Sequence, residues 1–389
     1  MTTPSSGPGI VMFGPIEWDG TWYSRHHLTA GLARDWRVIH AGEPTPLRTV
    51  VRAPGKALSP GGVGPSPTAP PGVEEYTPPG RYPDVHRWPS LARGMRARRA
   101  RHLQASLREA GLADPLYYVW NPMYQPAVEP LSDPTLVYHA YDKYDQYERA
   151  GEETVRAERW LVRHARLCVA ASTRLGEYLE DLGAREVAVV HHGVDGELFR
   201  PDLTEPEALA AIPRPRLGVV ARLNEVLDAR TLNHLAEQRP DWSIVLVGGL
   251  YFNDPEKLQG FHDLVARKNV HHVGLQPRTE VPNWLAGFDV GLICYDLETW
   301  GPYNQPIKMY EYLACGLPVV STGILAAQEL GEELVKCAHE PEEWLEQVER
   351  ALGEDSEADL ARRRRFVDAN RWEHRVDELS RHLRRLRPL

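Results

Sequence analysis

The chain has 389 residues, 42% hydrophobic and 25% charged, which at roughly 100–200 residues per domain predicts two or three domains. Cores of that size need no disulfide or metal staple, and the composition excludes wholesale disorder and a coiled coil. A net charge of −9 argues against nucleic acid as a partner of the molecule as a whole.

Short apolar runs alternate with longer amphipathic segments, the rhythm of βαβ units around a parallel sheet. Residues 1–9 lack a charged leader region, and the apolar run 10–13 is too short for a signal peptide, so it reads as the first strand. Strands follow at 36–40, 116–120, 135–139, 167–171 and 187–190, with helices at 22–34, 91–110, 152–164 and 174–182 between them. Proline and glycine concentrate between Gly42 and Pro83, where only 73–77 has strand character, so this stretch reads as an irregular surface excursion or, on the sharper reading, as an ordered loop near an acceptor site. A proline- and acid-rich linker is expected at 201–215. The rhythm then restarts, with strands at 217–221, 243–248, 270–273, 289–294, 318–321 and 334–337 and helices such as 229–238 and 280–286. A short helix at 344–352 and a basic helical stretch at 358–386 end the chain. No window approaches 18 apolar residues, and Cys168, Cys294, Cys315 and Cys337 form no C-x-x-C pair. A cytoplasmic protein with buried, reduced thiols is expected.

Neither Gly7-x-Gly9 nor Gly62-x-Gly64 opens a helix after a strand, so the dinucleotide fingerprint fails; there is no Walker A sequence and no metal-binding spacing. The most informative segment is YNQPIKMYEYLACGLPVVST, Tyr303 to Thr322. Pro306 suits a first helical position, and Gly316 with Pro318 makes a stop, so a helix is expected over 306–315. Lys308 and Glu311, three residues apart, share a face in its first turns, where a phosphate is favoured. Lys308 is placed to neutralise a diphosphate and Glu311 to accept hydrogen bonds from a ribose diol; from spacing alone, an exposed ion pair is the competing reading.

The pattern P-x-K-x-x-E-Y-L-A-x-G-x-P-V-V-S-T resembles the donor-binding signature of GT-B glycosyltransferases of the family-1/family-4 type, including bacterial polysaccharide and glycolipid glycosyltransferases. LGVVAR at 217–222 followed by Asp228, RPDWSIVLVG at 239–248, VPNWLA at 281–286, and VHHGVD at 190–195 with FRP at 199–201 continue the resemblance. It implies Glu311 at the ribose, Lys308 at the diphosphate, Arg222 as a second phosphate partner, and Tyr303, Asn304 and Pro306 in the donor-binding segment. Retaining members carry two glutamates with seven residues between them. Here Tyr303 stands at the earlier position, so the retaining pattern is incomplete. The lysine usual shortly after Arg222 is replaced by Leu227, followed by Asp228.

VYHAYDKYDQY at 137–147 follows a strand, which puts its polar residues where ligands of doubly wound sheets bind. It resembles the Y-D/H-x-x-D segment of bacterial polysaccharide glycosyltransferases, aligning His139 and Asp142. An inverting transferase needs a base for the acceptor hydroxyl. Asp142 is the first candidate, with His139 and Asp145 behind it; a helix N-cap or surface acid is the alternative. Trp22, Arg25 and His26, with Trp18, are acceptor-side candidates, as is Asp145; core tryptophans and helix-surface charges are the competing reading. Residues 87–108 carry Arg87, Arg93, Arg96, Arg98, Arg99, Arg101 and Arg108 without an acid, and Leu91, Met95, Leu103 and Leu107 share a stripe. Its two readings are an ordinary amphipathic helix and a basic face for anionic lipid at the inner side of the cell membrane.

The expected fold is α/β: GT-B, two doubly wound Rossmann-like domains facing across a cleft. Residues 1–200 would bind the acceptor, 201–215 would link, 216–369 would bind the nucleotide-sugar, and a helix at about 370–389 would return to the first domain, with Trp372 structural. The expected function is transfer of a sugar from a UDP-linked donor to a hydroxyl of a saccharide or lipid-linked acceptor, with no cofactor and no tightly bound metal. A GT-B sugar-nucleotide epimerase and an inactive nucleotide-sugar-binding scaffold are the alternatives.

Overall fold

The computed structural model describes residues 8–387 apart from 19–21, 86, 147–150, 301, 302, 304 and 355. The first sheet contains β1 (Gly9–Phe13), β2 (Arg37–Ala41), β3 (Gly62–Pro65), β4 (Val73–Thr77), β5 (Leu116–Val119), β6 (Thr135–Ala140), β7 (Leu167–Ala170) and β8 (Val187–Val189). Their spatial order is β3-β4-β2-β1-β5-β6-β7-β8, and every pair is parallel except β3–β4. The second sheet contains β9 (Arg216–Val220), β10 (Ser243–Val247), β11 (Val270–Gly274), β12 (Val290–Ile293), β13 (Val319–Thr322) and β14 (Val335–Ala338). Its order is β11-β10-β9-β12-β13-β14, parallel throughout.

The strands are near-continuous apolar runs because both faces are covered. On β10, Ile244 and Leu246 enter one buried cluster while Val245 and Val247 enter another, the period-2 alternation of a strand with a core on each side. Gly248 ends β10 at φ +152°, and a Cβ there would lie 1.8 Å from the Ala221 carbonyl, so only glycine lets the ends of β9 and β10 approach. The signature helix stops as its sequence predicts: Gly316 takes φ +81°, its N–H donates to Leu313 O at 3.0 Å, and the Leu317 N–H donates to Tyr312 O at 3.0 Å.

The chain divides into two compact units, residues 1–191 with 375–389, and residues 192–374. Segment 201–215 packs into the second unit and is not a free tether. The buried Arg216 guanidinium draws it in, donating to Leu209 O (2.6 Å), Ile212 O (2.8 Å) and Glu205 Oε2 (2.9 Å). A buried cation needs such partners. The basic stretch at the end is two helices, Glu357–Ala369 and Trp372–Leu386. The break falls where Val194 and Arg371 bridge their backbones, and Trp372, 5% exposed, packs on Gly193.

Two expectations fail for physical reasons. The stretch after Gly42 is not irregular: it holds a helix (Leu47–Arg52) and the β3–β4 hairpin, and β4 extends the parallel sheet beside β2. Proline is tolerated because Pro65 ends the edge strand β3, where no ladder donor is required. In the basic helix, Pro89–Glu109, the buried stripe is Ala92, Ala100, Leu103 and Leu107, and Leu91 is 46% exposed. Helical spacing then carries Arg96 and Arg99 along the inward-facing stripe.

The last helix is fastened to the first unit by Trp36, whose fully buried indole N–H donates to Ser380 Oγ at 2.8 Å. Ser380→Ala leaves that donor unsatisfied in the core, at a cost of about 1–3 kcal/mol. Thermal unfolding of the full chain should show a Tm lower by several degrees, and an unchanged Tm would show that the indole finds another partner.

Candidate active site

β9 is the first strand of the second unit; β10 and β11 are laid to one side of it and β12 to the other. The strand order therefore reverses between β9 and β12, and the segments leaving their carboxyl ends part to leave a crevice. A cavity of about 300 Å³ lies there, lined among others by Ala221, Arg222, Asn224, Cys294, Tyr295 and Lys308. Its loop is fixed from several directions. Asn224 Oδ1 accepts the Val226 N–H at 3.3 Å, and Glu225 accepts the backbone N–H groups of Asn253 and of Asp254, the latter at 3.1 Å. Asp228 caps the Ala229–Gln238 helix, accepting from Thr231 N at 3.0 Å and Thr231 Oγ1 at 2.6 Å. Its carboxylate serves the helix rather than replacing the missing lysine.

Two of the expected donor residues meet in this cavity. Arg222 lies over the Tyr251 ring at 4.3 Å, and Lys308 Nζ lies 5.2 Å from the centre of the Tyr295 ring. Among the described residues neither cation is in an ion pair, so both retain their charge for a ligand. The signature helix runs Lys308–Ala314, two residues shorter at its start than expected, with Pro306 and Ile307 forming the turn into it. Pro306 is buried and Tyr303 half-buried; Asn304 lies outside the described residues.

Glu311 does not pair with Lys308. Its side chain is 12% exposed, and its ion pair is with Arg278, Nη1 to Oε1 3.5 Å. Burial raises the Glu311 pKa above the ordinary carboxyl value, while the charges of Arg278 and Lys308 and the Arg278 hydrogen bond pull it down. Arg278, which also lies 5.6 Å from the Phe199 ring centre, escapes the sequence reading. Its one signal is its place just beyond β11, at the same carboxyl edge as the cavity.

In the first unit the candidates separate. His139, on β6 and 2% exposed, shares a 2.7 Å hydrogen bond with the buried Tyr118 hydroxyl and stacks on Trp120 with ring centres 4.6 Å apart. Asp142, half-buried, follows the end of β6, and Asp145 pairs with Lys143 at 3.3 Å. Trp22 stacks on His26 at 6.0 Å and meets Trp18 edge-on, so these residues form one aromatic cluster. His26 Nδ1 accepts the Tyr23 N–H at 2.9 Å, which makes the ring a neutral Nε2–H tautomer, and Nε2 lies 3.3 Å from Glu17 O. Arg25 is already engaged, its Nε donating to Pro15 O at 2.7 Å. Among the described residues no group of three His, Cys, Asp or Glu side chains is placed to hold a metal ion, and no helix is long and apolar enough to cross a membrane.

Residues 214–354 match the family model described as glycosyl transferases group 1. This span holds the whole second sheet, Arg222, Lys308 and Glu311. Residues 214–354 are a group 1 glycosyl transferase domain, and the chain has the GT-B fold. A putative teichuronic acid biosynthesis glycosyltransferase of Bacillus subtilis is 29% identical over 197 residues, 48% of this chain and 47% of that protein. The match thus spans about half the length of the curated relative. Likeness of fold extends over nearly the whole chain. A sucrose-phosphate synthase of Thermosynechococcus elongatus superposes with a TM-score of 0.71 at 15% identity, covering 97% of this chain and 99% of that one. HepE of Anabaena, in complex with UDP and glucose, gives 0.65 at 16% identity over 98% and 99%.

The raised pKa of Glu311 makes a stability prediction for the group 1 domain. A carboxyl raised on folding favours the folded state fully below its unfolded value of about 4.3, and that favour is lost as pH rises through the folded value. Glu311→Gln, which cannot ionise, should raise the Tm at pH 8, by about 2–4 °C for each kcal/mol of desolvation removed. Near pH 4 the two proteins should melt together. A lower Tm for the variant at pH 8 would show that Arg278 more than repays the burial of the charge.

Proposed function

We propose that the chain is a glycosyltransferase that moves a sugar from a UDP-linked donor to a hydroxyl of a saccharide acceptor, lipid-linked or free. The observation that carries this reading is the cavity at the β9/β12 reversal, where Arg222 and Lys308 present two cations without carboxylate partners. A diphosphate brings the charge they lack, and positioned cations stabilise it further as it leaves. Glu311, held by Arg278, serves as acceptor for a ribose diol. HepE, of the same fold, is described in complex with UDP and glucose, and an E. coli trehalose-6-phosphate protein with a TM-score of 0.69 at 13% identity is described bound with UDP-2-fluoro glucose. Both support a UDP-linked donor here. The cations and the neighbouring backbone carry the leaving-group charge in this reading, so no tightly bound metal is assigned.

The acceptor falls to the first unit. With Tyr303 in place of an upstream glutamate, the reading is a direct displacement with inversion, in which a base takes the acceptor proton as its oxygen attacks the anomeric carbon. Asp142, half-buried beyond the end of β6, is assigned as that base. His139 is enclosed by Tyr118 and Trp120, so it is assigned to shaping the β6 edge instead.

Calorimetry with UDP-sugars tests the donor site. Glu311→Ala and Lys308→Ala should each weaken binding at least tenfold, and wild-type affinity in either would remove that residue from the assignment. Asp142→Asn should bind donor normally yet lose at least a hundredfold in turnover. A fully active variant would eliminate Asp142 as the base. Free UDP should appear only when acceptor is present, which an epimerase would not require and a scaffold would not produce.

A further inference from the structure

The first unit has its own strand-order reversal, between β1 and β5, and its own cavity at the carboxyl edge of the sheet. This cavity, about 740 Å³, is lined by residues beyond β1, β2, β4 and β5 and by the inward stripe of the Pro89–Glu109 helix. Its volume suits one or two sugar rings. Phe13, Pro78 and Tyr124 supply flat apolar surface and Asn121 an amide, while Arg96 and Arg99 bring two guanidinium groups into the same space.

The two arginines are held differently. Arg99 is fixed: its Nη1 donates to Tyr82 O at 3.1 Å and to Pro83 O at 2.9 Å. That leaves Nε and Nη2 of its five-donor fork. Arg96 is half-buried and, among the described residues, makes no hydrogen bond and no ion pair. Burial lowers the Arg99 pKa, Asp84 raises it, and the Arg96 charge lowers it again, so the two cations feel each other. Two acids also line the cavity. Glu43 is exposed and accepts from the Tyr124 hydroxyl, and neither Glu43 nor Asp84 forms an ion pair with Arg96 or Arg99. Asp84 and Glu43 offset part of the Arg99 charge from a distance, without an ion pair to either arginine. Two half-buried guanidiniums in one cavity therefore gain from an anion that enters, and their planar forks suit a carboxylate or a phosphate.

We infer that this cavity is a binding site for an anionic saccharide, one whose carboxylate or phosphate is taken by Arg96 and Arg99. Its identification as the acceptor site rests on the glycosyltransferase reading; the anion site itself does not.

The test uses the full chain and three probes in calorimetry: methyl glucuronide for the carboxylate, glucose 6-phosphate for the phosphate, and methyl glucoside as the neutral control. At least one charged probe should bind ten times more tightly than the glucoside, and which one does identifies the anion. Arg96→Ala should weaken that probe at least tenfold without lowering the Tm, because Arg96 has no partner to lose. Arg96→Lys should recover binding in part if the anion is phosphate and little if it is carboxylate. UDP titrated into the same samples should bind Arg96→Ala as it binds the wild type. Anion binding without UDP binding would fault the donor reading and leave this site standing. Equal binding of all three probes, or wild-type affinity in Arg96→Ala, would overturn the site. So would loss of the charged probe in Lys308→Ala, which would place it in the other unit.

Discussion

A parallel sheet whose strand order reverses cannot close over the reversal. The segments leaving the two flanking strands run to opposite faces, and their separation opens a crevice at the carboxyl edge. This chain contains two such sheets, reversing at β1/β5 and at β9/β12, and each reversal carries a cavity. The hydrophobic pattern that specifies parallel strands thus also determines where a ligand can enter. The side chains beyond the strand ends decide which ligand it is. In the second unit these are Arg222, Tyr295 and Lys308; in the first, Arg96 and Arg99 reach the same kind of edge from a helix.

The charges at this edge of the second sheet are not arranged for maximum stability, and one of them, Glu311, lies outside the lining of the cavity. Glu311 is a carboxylate almost removed from water, and its counter-ion Arg278 touches it at one 3.5 Å contact, not as a two-toothed fork. Burial outweighs that attraction, so ionising Glu311 costs the folded protein stability. A polar ligand that brings hydroxyl donors to the carboxylate removes part of the penalty on binding. Lys308 and Arg222 are kept against aromatic rings and, among the described residues, out of ion pairs. Aromatic faces hold a cation in place without neutralising it. The buried Arg216 of the same unit is matched instead, by Glu205 and three carbonyl oxygens.

Much of this was legible in the sequence because its signals are local. The β-branched runs between glycines and prolines mark the strands, and Gly316 with Pro318 marks the end of the signature helix. Lys308 and Glu311 were found by their spacing and by the resemblance carried in the surrounding segment. The signals that failed are long-range. Nothing near Val63 says that a glycine- and proline-rich segment will pair with β4, since that pairing is decided by β2 offering an edge. Arg278 lies 33 residues from the glutamate it meets, and only the adjacency of β11 to β10 and β9 brings it there. The contact of Trp36 with Ser380, 344 residues apart, is equally invisible to any window.

The Pro89–Glu109 helix shows how much rests on register. Its arginines occur at almost every turn, so composition suggests one continuous basic face. A shift of one residue in the buried stripe, from Leu91 to Ala92, changes that picture. Ala92 and Ala100 are small enough to bring the helix close to the sheet, and the positions between them on the same stripe, Arg96 and Arg99, are drawn under the protein surface. Arg93, Arg98 and Arg101 stay exposed, as do Trp88 at 53% and Leu91 at 46% exposure. One sequence feature therefore divides into two physical ones, an outer surface in water and an inner pair of guanidiniums in a cavity. Desolvation separates them energetically: an exposed arginine is screened and worth little to any one partner, whereas a half-buried one without a counter-charge gains most from an anion that fits.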